Sequence, residues 1–165
     1  MKKLGKLNLH EMQEQMLPIP ESVLNKIRGG EVTVTFDRSD GMIYIEVNGQ
    51  VVDSYIAHNN TTSTSEGQWP NGTYSMYDQN SSHYHTGSDL DTYNGPYGEH
   101  GIYRANYFCD PNGDMREGMG LHAGRANEEW GSPTNGCIRT TEAAMDAIAC
   151  YIGSYGSFTT ITVQD

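Results

Sequence analysis

Apolar positions after residue 30 recur mostly in short, alternating runs. Residues 32–36, 42–47 and 51–57 alternate or cluster β-branched and aromatic side chains, the pattern of half-buried strands. Asn48-Gly49 sits between the second and third runs, and that dipeptide closes a two-residue hairpin turn. Further strands are predicted at 73–77, 102–108 and 158–163. One segment changes period: Ala144, Met145, Ile148 and Ile152 recur at helical spacing, Thr140 or Thr141 is a suitable N-cap, and Glu142 suits the positive first turn, so a helix is predicted through Gly153. Residues 81–101, rich in Ser, Gly, Asn, Tyr and His without any period, read as a long surface insertion of the kind that covers a site. The fold class is mainly β, a β-rich α+β chain.

Residues 1–30 differ in kind. Lys2, Lys3, Lys6, Lys26 and Arg28 are half of all lysines and arginines, and no lysine follows residue 30. From Glu31 onward 5 Arg face 18 Asp and Glu, which argues against a nucleic-acid partner, because binding phosphate backbones requires cations. No apolar run approaches the roughly 20 residues of a membrane-crossing helix, and membrane insertion is not expected. The first 30 residues lack the apolar stretch of a secretory signal and end in Gly29-Gly30. Ile27, Leu24, Ile19 and Met16 lie at the fourth, seventh, twelfth and fifteenth positions before the junction, and Pro20 is placed to start a short helix carrying Val23, Leu24 and Ile27. This segment resembles a double-glycine leader peptide. The resemblance implies an ABC exporter with a cysteine peptidase domain as partner, cleavage between Gly30 and Glu31, and a secreted or periplasmic product. The bland reading is an N-terminal arm with a chance Gly-Gly turn. The expected domain organisation is thus a leader at 1–30 followed by one domain at 31–165.

Candidate chemistry centres on His122 and Cys137, 15 residues apart, the cysteine in a Gly-flanked turn Thr134-Asn135-Gly136-Cys137-Ile138-Arg139. An acyl-transfer thiol near neutral pH needs an imidazole or dipole to hold it as thiolate, and His122 is the candidate. Gly136 lets the backbone turn tightly, with N–H groups at Gly136 and Cys137 pointing at a developing oxyanion. Arg139 reads either as a partner for a substrate carboxylate or as half of an ion pair supporting the turn. Trp69 and Tyr74 read as core or cleft-wall residues. His83, His85 and His100 read as solvated side chains, and no metal or other cofactor is required. Cys109 and Cys150 are open to two readings, a disulfide or two buried free thiols.

The stretch from His122 to Arg139 resembles the signature of the L,D-transpeptidase catalytic domain (YkuD) family: His, some 14 to 17 residues, then Ser or Thr, a variable residue, Gly-Cys, an aliphatic residue and Arg or Asn. Thr134, Gly136, Cys137, Ile138 and Arg139 fit in order, and Trp69-Pro70-Asn71-Gly72-Thr73-Tyr74 resembles the family's Thr-Pro-x-Gly-x-Phe segment. The resemblance implies an L,D-transpeptidase-like β-sandwich or barrel with one helix after the nucleophile. It implies peptidoglycan stem peptides as substrate, Cys137 as nucleophile, His122 as base, the Ala123 carbonyl orienting the base, the Gly136 N–H in the oxyanion hole, and Arg139, Asn135 and Thr134 as substrate contacts. Asn135 stands where most members carry a second histidine. A branch used as interbacterial effectors resembles this variant, which together with the leader implies an immunity protein as a further partner. The alternative from another class is a catalytically silent wall-binding module or secreted ligand.

Overall fold

The structure, a computed structural model, describes residues 29–165. The helix expected within the leader lies outside the described residues. Ten strands and one helix follow: β1 (Gly30–Asp37), β2 (Met42–Val47), β3 (Gln50–Ile56), β4 (Gly72–Ser75), β5 (Ile102–Arg104), β6 (Phe108–Cys109), β7 (Met115–Arg116), β8 (Gly120–His122), β9 (Ile138–Arg139), α1 (Glu142–Tyr155) and β10 (Gly156–Gln164). The mainly β expectation holds.

The larger sheet runs in the order β3-β2-β1-β10-β4. Asn48 and Gly49 both take positive φ, 53° and 76°, and join β2 to β3 as the sequence predicts, with Val47 paired to Gln50. Alternation then decides the faces. Val32, Val34 and Phe36 of β1 and Phe158, Ile161 and Val163 of β10 are almost wholly buried, and Ala144, Met145 and Ile148 of α1 join them in one core. Thr141 caps α1, its hydroxyl accepting from the Ala144 N–H at 3.2 Å, and the helix runs two residues past the expected Gly153.

The parallel pairing of β1 with β10 joins the first and last strands of the domain. It requires small residues at its start. Gly30 pairs with Gly156, a Cβ on Gly30 would lie 2.6 Å from the Tyr155 carbonyl, and one on Gly156 would overlap the Gly30 carbonyl.

The strand expected at 102–108 is broken instead into β5 and β6. Asn106 is the cause: its N–H donates to the Ser75 carbonyl and its amide to Ser75 Oγ, so its polar groups bond to the β4 edge rather than continuing the β5–β8 ladder. The second sheet, β5-β8-β9, carries the candidate site, and the β6–β7 hairpin stands beside it. Trp69 is fully buried and stacked on Phe108, with Tyr74 tilted against both, so the two residues are core. Cys109 and Cys150 are both free and both exposed; neither the disulfide nor the buried-thiol reading describes them.

Candidate active site

The register of the second sheet assembles the site. Ile102 pairs with His122, His122 with Arg139, and Arg139 with His58, the last through an isolated bridge after β3. Directly paired residues project from the same face of a sheet. His122, Arg139 and His58 therefore form a row across one face, while Leu121 and Ile138 point the other way into the core with no exposed surface. Cys137 precedes Arg139 by two residues, and alternation puts its half-buried thiol on the face of His122 and Arg139.

His122 is 2% exposed, and its Nδ1 lies 2.7 Å from the Ala123 carbonyl. A carbonyl only accepts, so Nδ1 carries the proton and Nε2 is the basic nitrogen. The contact is the one an orienting Ala123 carbonyl would make. Burial pushes the His122 pKa down to about 4, with Arg125, Arg139 and His58 adding to the shift against the raising effect of the Ala123 carbonyl. Burial likewise pushes the Cys137 thiol up to about 11, opposed by the Gly120 N–H and Arg125. The thiol donates to the Gly118 carbonyl at 3.7 Å. Resting Cys137 and His122 are thus both neutral, rather than the thiolate the sequence suggests, so a Cys137 nucleophile would lose its proton during attack and not before it. The expected pH–rate profile of acyl transfer follows: kcat/KM rises as His122 deprotonates through about pH 4 and stays flat from about pH 5 to 9. A preformed thiolate–imidazolium pair would instead lose activity as its imidazolium gives up the proton.

The nucleophile turn is held from inside. Gly136 takes φ 131°, and a Cβ there would sit 2.9 Å from Met119 Sδ. The Thr134 hydroxyl donates to the Cys137 carbonyl at 2.7 Å and accepts from the Gly136 N–H at 3.3 Å. Thr134 is 4% exposed and spent on the turn, so the expected substrate contact is a positioning residue. For the same reason the Gly136 N–H, expected to face an oxyanion, is engaged within the turn. Asn135 is exposed, with its side chain free to meet a ligand.

Four residues of the site escape a reading of the sequence. Asn59, 2% exposed, donates from Nδ2 to the carbonyls of Gly136 and Cys137 at 2.6 and 2.9 Å and accepts the Trp69 N–H at 2.6 Å. Tyr97, from the 81–101 insertion, meets the His122 ring edge-on at 5.3 Å, and it stacks on His85, whose Nδ1 bonds Asp91 at 3.0 Å. The insertion thus covers the base, as its length suggests, and His85 is engaged rather than solvated. His58 and Trp130 flank Arg139. A cavity of about 380 Å³, lined by Tyr77, Arg104, Asn106, Tyr107 and Gly118, opens beside the carbonyl that receives the thiol.

Residues 31–157 match the family profile described as YkuD, the L,D-transpeptidase catalytic domain. The chain belongs to that family. Solved structures with the YkuD-like fold of this chain include Bd1075 of Bdellovibrio bacteriovorus, with 14% identity over 84% of this chain and 49% of that one, and a TM-score of 0.58. The helical cell shape determining protein Pgp2 of Campylobacter jejuni, as a point mutant, gives 14% identity over 83% and 48%, with a TM-score of 0.57. An L,D-transpeptidase from Mycobacterium smegmatis gives 18% over 83% and 60%, with a TM-score of 0.50. The chain therefore spans about half to three fifths of the length of these neighbours. At such identities the likeness is one of fold. No curated protein sequence matches the chain.

Proposed function

We propose that this YkuD domain is a cysteine-dependent L,D-transpeptidase or L,D-carboxypeptidase acting on peptidoglycan stem tetrapeptides. The supporting observation is a base oriented by the Ala123 carbonyl on the same sheet face as the only cysteine in the nucleophile turn. In the first step Sγ of Cys137 attacks the carbonyl carbon at the L-centre of the third residue, and its proton passes to Nε2 of His122. The tetrahedral oxyanion collapses, the C–N bond to the terminal D-alanine breaks, and His122 returns the proton to the leaving amine. A thioester remains on Cys137. An amine or water then attacks it, restoring the thiol and giving a cross-link, an exchanged terminal residue or a tripeptide.

The Gly29-Gly30 junction and the apolar spacing before it support export through an ABC exporter whose peptidase removes residues 1–30, leaving a secreted or periplasmic enzyme. Release by that route, with Asn135 in the variant position, favours use against the walls of rival cells, with an immunity protein protecting the producer.

Mass spectrometry of tetrapeptide fragments incubated with the full chain, with and without a free D-amino acid, tests the reading. Loss or replacement of the terminal D-alanine by the wild type but not by Cys137→Ala is the expected result. Fragments unchanged by both would turn the assignment toward the wall-binding module.

A further inference from the structure

Five arginines follow residue 30, and four have a carboxylate within 4 Å: Arg38 with Asp165, Arg104 with Asp78, Arg116 with Asp110 and Arg125 with Glu128. Arg139 has none among the described residues, although 18 Asp and Glu share that stretch of chain. It is 3% exposed. Its Nε and Nη2 donate to the carbonyls of Gly124 and Arg125 at 3.1 and 2.8 Å, which braces the loop after His122, and its buried Nη1 has no partner. The expected supporting ion pair is absent, and a charged donor is left over.

A second unpartnered donor lies alongside. His58 pairs with Arg139 backbone to backbone, the two N–H···O bonds both at 2.9 Å, and the two side chains share the face that also carries Cys137. His58 is 8% exposed; its Nδ1 accepts the Asn60 N–H at 3.4 Å, so the ring proton sits on Nε2, which is buried without an acceptor. One side chain covers both. The Trp130 ring lies 4.9 Å from the His58 ring, edge to face, and 5.4 Å from the Arg139 guanidinium carbon. Trp130 is nevertheless 44% exposed, and a cavity of about 310 Å³ opens against it and Arg139; its wall also holds Glu128, which pairs with Arg125, and Glu142, which accepts the Glu99 N–H. Two desolvated N–H donors on paired residues under one indole, one of them cationic and bordering that cavity, with no protein acceptor for either, match the two oxygens of a carboxylate.

We propose that Arg139 and His58 form a carboxylate-binding subsite of the acyl-transfer site, capped by the Trp130 indole, which moves aside as the ligand seats. This rests on the stem-peptide reading and deepens it: a stem tetrapeptide brings carboxylates as the acyl donor, and a free amino acid brings one as the acceptor. The subsite gives the enzyme a hold on substrate two residues along the chain from the nucleophile.

Calorimetric titration of the full-length Cys137→Ala chain tests it, with the stem tetrapeptide, its carboxyl-amidated form and free D-alanine as probes and Trp130 emission recorded in parallel. Arg139 also braces the base loop, so substitutions of His58 decide. His58→Phe is expected to weaken a carboxylate probe about tenfold or more, with His58→Gln, which keeps a donor, restoring most of the affinity. Amidation is expected to remove the difference between the variants. Weakening confined to the tetrapeptide assigns the subsite to the donor, and weakening confined to D-alanine assigns it to the acceptor. Equal affinities in all three backgrounds, with unshifted Trp130 emission, would overturn the proposal. Turnover by the wild-type chain separates the two readings. If tetrapeptide is trimmed while His58→Phe leaves KM unchanged, the subsite alone fails; if nothing is trimmed and nothing binds, the stem-peptide reading fails with it.

Discussion

Replacing Cys137 with alanine is expected to slow removal of the terminal D-alanine by at least about 10³-fold, and His122→Ala to do nearly as much. In the proposed step the two act in one proton transfer: Sγ supplies the electron pair and Nε2 takes the proton as the C–S bond forms, so neither is useful without the other. The double variant is therefore expected to be no slower than the worse single one. Burial of both groups sharpens the expectation. With the thiol held near 11, almost no thiolate forms at neutral pH without a base, so a chain lacking the His122 imidazole is expected to be nearly inert. Single-turnover kinetics on the four proteins, with circular dichroism confirming that each is folded, makes the check. Rates that multiply would separate the two residues mechanistically.

Asn59→Ala is expected to cost about 2–4 kcal/mol of stability and to lower kcat as well. Three backbone groups lean on this one amide: the Gly136 carbonyl loses its donor, the Cys137 carbonyl keeps only the Thr134 hydroxyl, and the Trp69 N–H loses its acceptor. The first two belong to the nucleophile turn and the third to the largest side chain of the core, so one substitution loosens both at once. Asn59→Asp keeps the acceptor and loses the donor, which separates them. It is expected to retain the Trp69 contact yet place a carboxylate against two carbonyls, harming the turn more than the core. Urea unfolding and kcat measured on the same preparations distinguish these outcomes.

Much of this was legible along the chain because its causes are local. Asn48-Gly49 dictates a hairpin through the backbone conformations it tolerates, Thr141 and the apolar repeat dictate α1, and the likeness of the Thr134–Arg139 turn to the YkuD signature, more than spacing alone, singles out His122 and Cys137. The remainder depends on register between distant segments. Nothing near His58 or Asn59 marks them; they reach the site because residues after β3 bridge to Arg139, some 80 positions later. Tyr97 is one of 11 tyrosines, and only the fold of the insertion sets it against His122. Thr134 shows the converse: its motif position is plain in the sequence, but that its hydroxyl bonds the Cys137 carbonyl and the Gly136 N–H depends on which way the turn folds inward.

The close fit of Gly30 against Gly156 and the Tyr155 carbonyl bears on the order of events in the life of the protein. A processing peptidase must hold the junction before Glu31 as an extended, isolated strand, and β1 hands that same backbone to β10, in the interior of a five-stranded sheet. Protease and sheet compete for one stretch of chain, and once the sheet has closed the protease has lost. The proposed cleavage after Gly30 is therefore expected to act on the unfolded chain, and closure of the first strand onto the last to end access to that junction.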